Sequence, residues 1–131
     1  MNPHVVVKPS DDRKQDFVEI LEDWDRHYHD RISLDPRAWH TTVPVKLLDS
    51  KAHGDLSRFS VANSVENIHL NEGAPSLYGF SLVFFNKTHT VALVYATHWC
   101  GVVCGEGYWV ALTLQNGTWN QLDWNTGGWI S

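Results

Sequence analysis

From residue 88 to residue 131 the chain carries no Lys or Arg, and Glu106 and Asp123 are its only charged residues there. The chain therefore closes apolar. Its pattern is that of strands. Residues 80–85 form a continuous apolar run, and Asn86-Lys87-Thr88-His89 reads as a turn. In residues 90–99, Val91, Leu93, Tyr95 and Trp99 fall on one side of an extended chain, with Ala92, Val94 and Ala96 on the other. Apolar residues on both sides predict a strand covered on both faces. Residues 108–114 read as a third strand, Gln115-Asn116-Gly117 is a tight-turn signal, and residues 118–124 follow as a fourth. An antiparallel meander of about four strands is therefore expected over residues 79–131.

The amino-terminal part has the opposite character. Residues 11–35 hold nine acids and four basic residues, which accounts for the whole net charge of -5. Phe17, Ile20, Leu21, Trp24, Tyr28 and Ile32 recur at three- and four-residue steps and predict a long amphipathic helix over residues 11–32. Ser10 or Asp11 is expected to cap its start, and Pro36 forbids its continuation. The fold class expected is α+β in a single domain, residues 1–131: this helix, packed on the carboxy-terminal sheet, with an irregular middle over residues 33–78. Within the middle, residues 41–48 look extended but Pro44 makes a central strand unsuitable; residues 55–59 suggest a helical turn, residues 65–70 a short strand, and Gly73-Ala74-Pro75 a loop.

Several function classes are excluded by composition. An acidic balance of 15 acids to 10 Lys and Arg argues against a nucleic-acid partner. The three valines Val5, Val6 and Val7 are far short of a signal peptide or a spanning helix, so no membrane insertion is expected. No phosphate-binding glycine loop, nucleophile elbow, zinc-protease motif or calcium loop occurs, and no cofactor, metal or catalytic residue is assigned. Asn86-Lys87-Thr88 and Asn116-Gly117-Thr118 fit the N-glycosylation pattern.

Cys100 and Cys104 leave three readings open. A disulfide would close a loop of about five residues and stabilise by about 2 kcal/mol, with Gly101, Gly105 and Gly107 allowing the turn. The alternatives are two packed thiols, or metal binding or catalysis: the spacing of His98, Cys100 and Cys104 is against a zinc site, whereas His98, two residues before Cys100, could lower the thiol pKa to make a nucleophile. That enzyme would need a third, orienting group, for which Glu106 and Asp123 are the candidates. The location follows the redox state: extracytoplasmic if the two cysteines are bridged, cytoplasmic otherwise. His27 and His29 lie on opposite sides of a helix and cannot share an ion; each instead follows an acid by four residues, Asp23 and Asp25.

Seven Trp are present, and Trp99, Trp109, Trp119 and Trp129 recur every ten residues, a spacing that a meander of similar hairpins produces without a true repeat. Trp24, Trp99 and Trp109 fall on core positions. Trp119, Trp124 and Trp129 stand among Asn, Gln, Gly and Asp123, a composition that suits a surface for a protein or carbohydrate partner.

Over residues 79–131 the chain resembles a family of small uncharacterised bacterial proteins. The residues that carry the resemblance are Gly79-Phe80-Ser81, Phe84-Phe85-Asn86-Lys87, Ala92-Leu93-Val94-Tyr95, the loop Cys100-Gly101 with Cys104-Gly105 and Gly107, Gly117-Thr118-Trp119, and Trp129-Ile130-Ser131. The resemblance implies a fold and a cysteine loop but no activity. Where relatives are expected to carry a Lys-rich hairpin, this chain has Gln115, Asn120 and Gln121. The expected function is a non-enzymatic binding or interaction module using the Trp-bearing end of the sheet or the acidic helix. The alternatives are the Cys100–His98 enzyme and a structural subunit of a larger assembly.

Overall fold

A computed structural model of the protein describes residues 1–38, 40, 42, 77–101 and 104–131, with the backbone alone described at Cys100, Gly101 and Cys104. The elements expected in the middle of the chain lie outside the described residues, Thr42 apart.

A short helix α1 (Pro3–Val6) opens the chain; Pro3 takes the first helical position, where its missing N–H costs nothing, and Asn2 Oδ1 accepts from His4 N at 3.0 Å. Its last residues lead into Val7, which is buried, and Lys8, which exchanges two backbone hydrogen bonds with Asn125 (2.7 and 3.2 Å). A 3-10 turn, Asp11–Arg13, then precedes helix α2 (Lys14–His27). The expected side-chain cap is absent: Ser10 receives the Arg13 N–H on its carbonyl, and Asp11 pairs with Lys14 at 2.7 Å.

Helix α2 is also shorter than the periodicity suggests. It ends where Tyr28 N–H bonds Trp24 O, and His27 Nδ1 meets Asp30 Oδ2 at 2.8 Å. The physical reason is that the last two stripe positions, Tyr28 and Ile32, are 43% and 71% exposed, so continuing the helix would bury nothing. Asp25 does not meet His29 as the four-residue spacing suggests; it meets His4 Nε2 at 2.9 Å, while His29 lies beyond the helix end with its ring 3.8 Å from that of Tyr28.

Among the described residues, five strands make one antiparallel sheet: β1 (Leu77–Phe85), β2 (Val91–Gly101), β3 (Cys104–Gln115), β4 (Thr118–Gln121) and β5 (Gly128–Ile130). The meander runs β1-β2-β3-β4, and β5 returns to pair with β3 at Glu106, Gly107 and Tyr108. The fourth strand is thus shorter than expected, and a fifth is added. Asn116 and Gly117, at φ 50 and 76, form the tight turn between β3 and β4 that their sequence signals. Between Phe80 and Val83 the β1–β2 register shifts, and the Ser81 hydroxyl accepts the Tyr95 N–H there at 2.9 Å.

The β1–β2 turn is organised by Asn86, which is 2% exposed. Its Oδ1 accepts from Thr90 N (2.8 Å) and Val91 N (3.0 Å), and its Nδ2 donates to Asp16 Oδ1 (2.8 Å) and to the hydroxyls of Thr88 and Thr90 (both 3.1 Å). Two further carboxylates of α2 meet the same turn. Asp23 Oδ2 accepts the Phe85 N–H and Glu19 Oε2 the Lys87 N–H, each at 2.9 Å. Residues 16, 19 and 23 share one helix stripe, so part of the acidic face is bound to the hairpin rather than to solvent.

The core comprises Val7, Phe17, Ile20, Phe84, Val91, Leu93, Trp109, Ala111 and Trp124. Phe17 and Trp124 meet edge to face at 5.6 Å. Among the described residues, no helix is long and apolar enough to cross a membrane.

Candidate interaction face

Strand registry sorts the sheet's side chains onto two faces. Residues directly opposite in an antiparallel pair share a face, so the pairs Leu93–Ala111 and Leu93–Phe84 place the core on one side. Val94–Val110, Ala96–Tyr108, His98–Glu106, Val83–Val94 and Tyr78–His98 then lie on the other, joined by Leu114–Trp119 and Glu106–Ile130. The sequence predicts cover for both faces, but this second face carries Tyr78 (60% exposed), Val83 (42%), Tyr108 (41%), Trp119 (40%) and Ile130 (87%). Ala92 and Ala96 on the same face are buried because they are small and sit in the valley between larger neighbours. Scattered apolar residues are normal on a protein surface, but side chains gathered on one sheet face form a contiguous patch. No strand of this sheet contains a Lys or Arg, and Glu106 is the one charged residue within the five strands.

The four residues proposed as a partner surface are not brought together. Trp119 belongs to the open face, 6.0 Å from the Phe85 ring. Trp129 pairs with Gly107 and so lies on the opposite face, where its Nε1 donates to the Tyr95 hydroxyl at 2.7 Å. Trp124 is 7% exposed and belongs to the core, so it cannot serve as a surface ring; Asp123 is exposed beside it. A sugar platform built jointly from Trp119, Trp124 and Trp129 is therefore excluded by geometry. Of the Trp residues expected inside, Trp109 is buried, while Trp24 is half-buried against the core and stacked on Tyr28 at 4.6 Å. Trp99 is half-buried.

Gly107 explains why Trp129 can take its position. A Cβ there would overlap both the Tyr95 hydroxyl and the Trp129 indole, so the missing side chain is what lets β5 dock with its ring folded over the strand. Glycine at a strand centre beside a late Trp was the sequence signal that could have revealed β5.

At one end of the open face, His98 stacks on Tyr78 (4.6 Å) and its Nδ1 lies 3.4 Å from Glu106 Oε1. His98 Nε2 is buried with no hydrogen-bond partner among the described residues, as are the indole nitrogens of Trp109 and Trp124. Cys104 pairs with Gly101 in backbone register, which sets it beside the Cys100 position on the neighbouring strand, but the bridge or thiols expected there lie outside the described side chains. Among the described residues no group of three or more His, Cys, Asp or Glu is placed to hold a metal ion.

A shallow groove of about 590 Å³ lies between α2 and the β1–β2 turn, lined in part by Asp23, Arg26, His27, Lys87 and His89. Asp23 and Glu19 at its wall already accept backbone N–H groups, and Lys87 Nζ lies 3.6 Å from Glu22. The groove's carboxylates are thus paired internally, and its apolar wall includes Val83 and Phe85, where it borders the open sheet face. Compared with known proteins, the chain matches no family model, no curated protein and no solved structure.

Proposed function

We propose that the chain is a non-enzymatic protein-interaction module whose docking surface is the open face of its sheet. One observation carries this reading: Tyr78, Val83, Tyr108, Trp119 and Ile130 are exposed together on one face whose strands hold no Lys or Arg. Aromatic rings on a rigid sheet bury large area at small entropic cost, which is what an anchor residue needs. In the same reading α2 lies across the opposite face; Phe17 and Ile20, buried in one cluster with Phe84, Leu93 and Trp109, support that placement. Membership of the Cys-Gly-x-x-Cys-Gly-x-Gly family is retained as part of the proposal and adds no activity to it.

The test compares the wild-type chain with a Val83→Asp/Trp119→Asp variant in capture of a binding partner from host extract, after far-UV circular dichroism has shown both to be folded. Loss of the retained partner in the variant supports the reading. Equal retention of a partner by both overturns the assignment of this face.

A second reading has one observation in its favour. A cysteine enzyme at Cys100 needs a group to orient His98, and Glu106 lies 3.4 Å from the His98 Nδ1. Selective alkylation of Cys100 by iodoacetamide at neutral pH, abolished by His98→Ala, would support it; no selective modification sinks it.

A further inference from the structure

We infer that the occupant of the open face is a second copy of this chain, the two sheets packing face to face about a two-fold axis. The inference rests on the open face being a docking surface, and adds what docks there.

Area is the first argument. A fully covered aromatic side chain accounts for roughly 150–250 Å². With Tyr78, Tyr108 and Trp119 about half exposed, and Val83, Ile130 and the half-buried Phe85, Val94, Val110, Leu112 and Leu114 on the same face, each copy offers on the order of 600–800 Å². A standard interface takes about 800 Å² from each partner, so the face is of the size that a dimer uses.

Charge is the second. A symmetric interface sets a patch against itself, so any charge on it is opposed by its own copy. Within its strands this face carries Glu106 alone, at its end and already beside His98, and the charges of Asp23, Arg26 and Lys87 border it only along the Val83 and Phe85 edge, so two copies meet without a repulsive centre. Of the nine acids of residues 11–35, Asp16, Glu19 and Asp23 are bound to the β1–β2 turn at the sheet's edge, and the helix that carries them buries Phe17 and Ile20 in the core cluster on the other side of the sheet. With sheets packing about 10 Å apart and a helix about as far beyond each sheet, the acidic helices of two copies stand roughly 30 Å apart, several Debye lengths at physiological salt. A basic partner is poorly served by this face, which has no cluster of carboxylates to receive it. A further copy, by contrast, brings a flat apolar sheet of matching size.

Sedimentation equilibrium of the full chain, from micromolar to sub-millimolar concentration, tests the inference. The wild type is expected to give about twice the single-chain mass, with Trp119→Asp and Tyr108→Asp each returning the mass to that of one chain. Val18→Asp, an exposed position on α2, is expected to stay dimeric. Tyr108→Asp keeps the test valid if Trp119→Asp fails to fold, and far-UV circular dichroism reports folding for each. A wild type monomeric at every concentration overturns the inference, as does a dimer that survives both substitutions. Binding of an apolar fluorescent dye separates that failure from failure of the underlying reading. A monomer that binds dye, and loses it on Trp119→Asp, leaves the face as a docking surface for another occupant; a monomer that binds none overturns both.

Discussion

Replacing Asn86 by Ala removes at one stroke the acceptor for Thr90 N and the buried Val91 N, and the donor to Asp16. The two neutral bonds are worth about 1 kcal/mol each and the bond to a carboxylate about 1.5–3 kcal/mol. Water can replace the partner of Thr90, which is exposed, but Val91 is fully buried. The net cost is therefore about 3 kcal/mol, a large fraction of the 5–15 kcal/mol by which domains are usually stable. At about 2.1 cal/mol/K per residue of unfolding entropy, this lowers the melting midpoint by about 10 °C. Urea unfolding followed by tryptophan fluorescence, with an unchanged slope, measures it directly.

Asn86→Asp adds a signature that a packing defect lacks. Its second oxygen would face Asp16 at the present 2.8 Å contact, and two facing carboxylates raise the folded-state pKa of the pair. A raised folded pKa means the deficit is largest at neutral pH and shrinks as the pH falls from the raised values down to the ordinary carboxylate range, below which it is constant. Combining Asp16→Asn with Asn86→Asp should restore donor and acceptor in exchanged order and recover most of the loss. An Asn86→Ala cost below about 1 kcal/mol, no larger than an ordinary surface change, would refute the central place given to this side chain.

Gly107→Ala is expected to destabilise by about 1–3 kcal/mol through overlap with Tyr95 and Trp129, and to unprotect the β5 amides in hydrogen exchange. Of the two glycosylation sequences, only Asn116 is exposed; in a secreted, folded product mass spectrometry should find a glycan there and none at the buried Asn86. Hydrogen bonds from Lys14 and Arg37 hold the carboxyls of Asp11 and Asp35 below the usual range. Any stability they add is complete above the ordinary carboxylate pKa and is lost as the pH falls through the lowered values. Because both are solvent-accessible, carboxyl NMR titrations should move up toward ordinary values in molar salt; midpoints that start there would show that the bonds are not made.

The elements legible in the sequence are those decided by neighbours along the chain. Asn116-Gly117 specifies its turn through positive φ alone, and the alternation of Val91, Leu93 and Tyr95 identifies the core face of β2. What was illegible depends on distant partners. The stripe from Phe17 continues to Ile32 in the sequence, but the helix stops at His27 because nothing lies over its last positions to bury. Asp16, Glu19 and Asp23 look like solvated acids until the hairpin that they receive is known. The Trp surface failed for a related reason: Trp119 and Trp129 both border β3, yet pair with residues seven apart, Leu114 and Gly107, and an odd separation sends them to opposite faces.

The pairing of Lys8 with Asn125, and the presence of Val7, Phe17 and Trp124 in one core, bear on how the chain can be made in a cell. Synthesis proceeds from the amino end, so α2 emerges long before the residue that its Phe17 meets edge to face. Until Trp124 leaves the ribosome, a nascent chain holds an unfinished core and a free sheet face at once. The β1–β2 and β3–β4 hairpins can close early because their contacts are local, whereas the junction between the two ends of the chain waits. Chains released short of Trp124 should therefore be poorly folded substrates for chaperones and proteases, with the completing step waiting for that residue.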